Sequence, residues 1–171
     1  MKFTLPKNPK IYIFIAVIAG VVWGAFRPTF IEYYHMAGLV ANLHLFADNF
    51  AVGSLGVSLL RNGHIFLLLW ACNLVPKMSW AAYLLIYMRA MTTAFSVAML
   101  VHAFGVRGLL MASVLNMPQN VLVLWVCAYV ICNVSKSRPL NLVIISSLAV
   151  LAATAYEIYI APWLFMLTQG G

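Results

Sequence analysis

Residues 104–126 read FGVRGLLMASVLNMPQNVLVLWV, and the reading of this stretch decides the fold. Gly105-Val106-Arg107-Gly108 is a glycine-flanked turn, Leu109 to Asn116 is apolar and small, and Met117-Pro118-Gln119-Asn120 interrupts before a second apolar run from Val121. Pro118 has no amide hydrogen, and its ring crowds the carbonyl four residues back. It also pushes Met117 away from helical angles. Gln119 and Asn120 then stand beside freed backbone groups. A helix broken in a bilayer persists only where it is buried in protein or lines a cavity. Two readings follow: a proline kink in an ordinary transmembrane helix, or a re-entrant pair of half-helices that closes a hairpin in the bundle.

The composition puts the stretch in a membrane. Of 171 residues, 65% are hydrophobic and only 8% charged. The mean hydropathy is +0.99. A soluble domain of this size cannot hide that much apolar surface. The expectation is an all-α integral membrane protein, with residues 1–171 as one polytopic domain. The net charge is +7, from ten basic residues against Glu32, Asp48 and Glu157. The bases flank apolar runs, so they speak for membrane orientation and anionic lipid and not for nucleic acid. Cys72, Cys127 and Cys132 lie in apolar runs without metal-ligand spacing and read as buried small residues.

Working outward, residues 1–10 form a basic cytoplasmic tail with Lys2, Lys7 and Lys10. An uncleaved first span follows from Ile11 to Phe26, closed by Arg27-Pro28. Gly20 and Gly24 make a GxxxG pair that permits close helix approach. The second span is expected over Gly63 to Pro76, extended by Val57 to Leu60, and the third over Trp80 to His102. The interrupted stretch makes the fourth, Gly108 to Val134, and Leu142 to Met166 makes the fifth. Ser146, Ala149, Ala152 and Ala153 give the fifth a small-residue face, and Tyr156, Tyr159 and Trp163 form an aromatic belt at its outer end.

Residues 28–60 are read as an extracytoplasmic amphipathic helix. Leu39, Leu43, Phe46 and Phe50 recur at helical spacing, while His35, Asn42 and Asn49 fall on another face. Asp48 at the bilayer centre would cost about 3 kcal/mol, which argues against a span here. With this segment outside, Lys2, Lys7, Lys10, Lys77, Lys136 and Arg138 are all cytoplasmic. The positive-inside rule therefore prefers about five crossings. Leu39, Leu43, Phe46 and Arg107 are the expected partner-binding residues, because the other loops are too short to hold a partner.

The ordered pattern G-x-x-G-L-L-x-A-x-V-x-x-x-P-Q-N-V-L, from Gly105 to Leu122, resembles the signature segment of the stage II sporulation protein M family. Agreeing features are the basic tail, the extracytoplasmic segment, a mid-span base at Arg89, and the closing Tyr156-Glu157-x-Tyr159-x-x-Pro162. Together they cover roughly Lys10 to Met166. Ala90 stands where the family often has glycine. The resemblance implies a non-catalytic scaffold at the septal membrane during forespore engulfment. It would recruit two peptidoglycan hydrolases, stage II sporulation protein P (an amidase and endopeptidase) and stage II sporulation protein D (a lytic transglycosylase). The partners expected are those hydrolases, membrane lipids and a second copy of the chain, with no nucleic acid.

The residues themselves carry no enzyme constellation: no Gly-x-Ser-x-Gly, no His-Glu-x-x-His and no phosphate-cradling glycine loop. No catalytic residue, metal ligand or cofactor is expected. Arg89 and Glu157 lie within spans, where two readings stand: the charges face the bundle interior and are linked across the third and fifth spans, or Arg89 snorkels to the cytoplasmic headgroups and Glu157 reaches the outer interface. Pro118, Gln119 and Asn120 are expected to be structural. A broken helix with intramembrane charge also describes small transporters and channel subunits, so that class stays open as the alternative.

Overall fold

Pro9 stands in the first turn of α1 (Pro9–Phe26), where its missing amide hydrogen would be unbonded in any case. A 3₁₀ turn, Arg27–Phe30, closes the helix. In this computed structural model the described residues are 8–31, 35, 37–39, 41, 55–74, 79–133 and 139–164, and among them every element is helical. The rest of the bundle is α2 (Leu55–Leu74), α3 (Ser79–Phe104), α4 (Val106–Asn133) and α5 (Leu140–Leu164). Among the described residues four helices are long and apolar enough to cross a membrane: α1 with its 3₁₀ turn, α3, α4 and α5. α2 contains the shorter apolar stretch Asn62–Cys72 among the described residues. Its 20 residues nevertheless measure about 30 Å, the thickness of the hydrocarbon core.

The glycine pair of α1 seats that helix on α3. A Cβ on Gly20 would lie 2.5 Å from the carbonyl oxygen of Tyr87, and one on Gly24 would run into the carbonyl of Met91. Backbone contact of this closeness gives the dispersion attraction that must drive helix association where lipid is as apolar as leucine. The flanking rings follow the same register. Tyr12 meets Tyr83 at 6.1 Å, and the Arg27 guanidinium sits 5.8 Å from the Phe95 centroid. Both numberings rise together along the contact, so α1 and α3 run parallel. On its other sides α1 presents Phe14, Ile15, Trp23 and Phe26, all more than half exposed. In a bilayer this is a lipid-facing surface.

Gly105 makes the turn between α3 and α4. Its φ of +58° is the left-handed region that favours glycine, and its N–H donates to the Val101 carbonyl at 2.8 Å. Gly108 then packs against the Leu100 carbonyl, which brings α4 back antiparallel on α3. The core gathers Ile65, Phe66 and Leu69 of α2, Ala82 and Ile86 of α3, Val123, Val126 and Val130 of α4, and Ala153 of α5. Ser146, Ala149 and Ala153 of the expected small-residue face are buried, while Ala152 points outward.

One expectation is overturned. Pro118 does not break the chain into half-helices, and no re-entrant hairpin forms: α4 runs continuously from Val106 to Asn133. The helix widens just before the proline into a π segment, Ala112–Asn116, where the Met117 N–H bonds the Ala112 carbonyl five residues back. The wider turn lets the chain pass the proline, and Met117 keeps helical angles of −66° and −52°. A second π segment, Tyr156–Ile160, lies in α5, where the Ala161 N–H bonds the Tyr156 carbonyl. Leu43 and Phe46, the basic loop 135–138 and most of the segment between α1 and α2 lie outside the described residues.

Candidate functional site

Asn62, Gln119, Thr154 and Glu157 converge on one place, between α2, α4 and α5. Asn62 is fully buried, and Gln119 and Thr154 nearly so. The Gln119 Nε2 donates to the Asn62 Oδ1 at 2.8 Å and to the Glu157 Oε2 at 3.0 Å. The Asn62 Nδ2 lies 3.4 Å from both the Thr154 Oγ1 and the Glu157 Oε2. Two carboxamides, from α2 and α4, thus meet a carboxylate from the π segment of α5, with Thr154 of α5 beside Asn62. Thr154 and Glu157 are three apart and share a face, so α5 contributes two groups at once.

Beside this cluster the two π segments touch. The Tyr156 hydroxyl donates to the Val114 carbonyl at 2.5 Å. In an α-helix that carbonyl would take the N–H of residue 118, which proline lacks. Asn120 turns back within α4, its Nδ2 bonding both the carbonyl of Asn116, at 2.7 Å, and the Asn116 side-chain oxygen. Gln119 and Asn120 therefore divide the work expected of them jointly. Asn120 bonds backbone, Gln119 joins helices, and the carbonyl four residues before Pro118 is served by a tyrosine of another helix.

Glu157 lies in the site, with the Gln119 and Asn62 amides among its partners. Arg89 is half-buried on α3, and its carbonyl accepts the hydroxyls of Thr92 and Thr93. Of the expected partner residues, Leu39 and Arg107 are exposed. Asn62 and Thr154 escaped the sequence reading, and Tyr156 was placed in the aromatic belt when it points into the bundle. Asn62 had a signal: it is a carboxamide within a helix expected to cross the membrane, where a polar side chain is costly unless paired. On the lipid side of α4, Met117, Pro118, Val121, Leu122 and Trp125 line an apolar groove.

Chemically, the cluster offers one carboxylate, two carboxamides and a hydroxyl, already engaged with one another. Such groups hold helices together. Among the described residues no group of three histidine, cysteine or acidic side chains is placed to hold a metal ion. The class this fold and site define is a multi-helix membrane bundle fastened by an internal hydrogen-bond network. Compared with protein-family models, curated proteins and solved structures, the chain matches none.

Proposed function

We propose that the protein is a non-catalytic scaffold of the cell membrane, with five crossings, whose outer surface gathers partners. The observation that carries this reading is the closure of Asn62, Gln119 and Glu157 on each other. A network of this kind fastens helices and leaves the outer ends to do the binding. The crossing number is supported by the parallel course of α1 and α3. Two parallel neighbours enter from the same side, so the chain must return once between them, and α2 is the helix available. The basic tail then puts the N-terminus inside, and Leu39, Arg107 and the end of α5 outside.

The resemblance of Gly105 to Leu122 to the stage II sporulation protein M signature supplies the finer proposal. The partners are a peptidoglycan amidase and endopeptidase and a lytic transglycosylase, held at the septal membrane during forespore engulfment. The test is retention of the two purified extracytoplasmic hydrolases on nanodiscs carrying the full chain. Retention that weakens with Leu39→Ser, Leu43→Ser and Phe46→Ser is expected. No retention of either enzyme at tens of micromolar would refute the scaffold reading. A second reading, a small transporter subunit, draws on the Glu157 carboxylate lying within a π segment, since such segments recur at functional sites. Flux of protons or monovalent cations into proteoliposomes, lost with Glu157→Gln, would favour it.

A further inference from the structure

The two π segments share a construction. Ala112–Asn116 starts six residues before Pro118, and Tyr156–Ile160 starts six residues before Pro162. Each proline deprives the carbonyl four residues back, Val114 or Ile158, of its α-helical donor. The Tyr156 hydroxyl, at the start of the second segment, takes over the Val114 carbonyl inside the first. The two irregular turns are therefore joined by one hydrogen bond, made with a group that a proline left free.

A π segment holds one residue more than the α-helical path between the same two points. Returning it to α geometry carries the part of the helix beyond it through about 100° and about 1.5 Å. Among the described residues, what lies beyond on α4 is 106–111, which carries exposed Arg107, and on α5 it is 161–164. On the inner side, Gln119 of α4 and Thr154 of α5 are held by the cluster, and Glu157 stands inside the second π segment. The inner halves are thus anchored and the outer ends are carried on turns that can change register.

We propose that the Tyr156–Val114 hydrogen bond is a strap that holds the outer ends of α4 and α5 in one register, and that its opening lets those ends move while the polar cluster stays closed. The strap operates because Pro118 withholds the amide that would otherwise compete for the same carbonyl. This inference does not depend on the scaffold reading. A protein that bound no hydrolase would still carry the strap.

Amide hydrogen exchange of the full chain in lipid nanodiscs tests it, with Tyr156→Phe, Pro118→Ala and the double variant. Tyr156→Phe should speed exchange across 111–119 about five- to tenfold, the effect of losing one hydrogen bond, and leave 123–131 unchanged. In the Pro118→Ala background the same change should matter less than about twofold, because the restored amide already serves Val114. Should the alanine variant not be recovered, Pro118→Leu supplies the same donor. Spin labels at exposed Leu109 and Trp163 give an independent reading: Tyr156→Phe should broaden their distance distribution. Equal effects of Tyr156→Phe in both backgrounds, faster exchange spread evenly over α4, or an unchanged label distance would each overturn the strap.

Discussion

Replacing Gln119 by leucine is the most direct probe of the polar cluster. The side chain is nearly fully buried, at 6% exposure, and leucine fills most of its volume. The change removes one neutral hydrogen bond, to Asn62 at 2.8 Å, and one to the Glu157 carboxylate at 3.0 Å. On the scale of soluble proteins these would be worth about 1 and about 2 kcal/mol, with a further penalty for acceptors left unpaired. Interhelical bonds in membranes measure lower, averaging about 0.6 kcal/mol with a maximum near 1.7, because the separated helices also find partners. The membrane figure governs here, since the Glu157 Oε2 keeps the Asn62 Nδ2 at 3.4 Å. The expected loss is about 1–3 kcal/mol. Reversible unfolding in bicelles would measure it for Gln119→Leu, Glu157→Leu and the pair. The double variant should lose less than the sum by about 1 kcal/mol, as neighbours in one network do. Losses that add to within about 0.5 kcal/mol would show that the two residues do not act together, and the cluster would lose its role as a fastener.

Three further outcomes follow. Gly24→Ala should loosen α1 from α3 by about 1–3 kcal/mol, because the added methyl meets the Met91 backbone and no rotamer can move it aside. Gly63→Ala is the matched control: a Cβ there meets nothing within 4 Å, so unfolding should show no loss, or a gain of up to about 1 kcal/mol from helix propensity. In a background without native cysteines, a cysteine at Arg107 should react with an impermeant maleimide added outside intact cells and one at Ser137 should not. Outside labelling of both positions would disprove five crossings with the N-terminus inside.

Much of the bundle is present in the chain itself. The long apolar runs, their basic flanks and the near-absence of acids place helices at positions close to those observed. The expected third span, Trp80 to His102, is found as Ser79–Phe104, and the expected fourth, Gly108 to Val134, as Val106–Asn133. These boundaries are local: apolar length, a glycine with positive φ and a proline are properties of a few neighbouring residues. The glycine pair of α1 also announced a close contact without naming its partner.

Tertiary structure decided what sequence position leaves open. Pro118 by itself allows a break, a kink or a widened turn, because the cost of its missing donor depends on whether another group can reach the Val114 carbonyl. Tyr156, 42 residues further along, reaches it, and the helix stays whole. Likewise Asn62, Gln119 and Glu157 are ordinary costly polar residues when each is read within its own helix. They become a network only when α2, α4 and α5 set them within 3.4 Å of one another. A single sequence records which side chains need partners in a membrane, and the packing of helices far apart in the chain determines which partners they get, because a hydrogen bond depends on distance in space and carries no memory of separation along the chain.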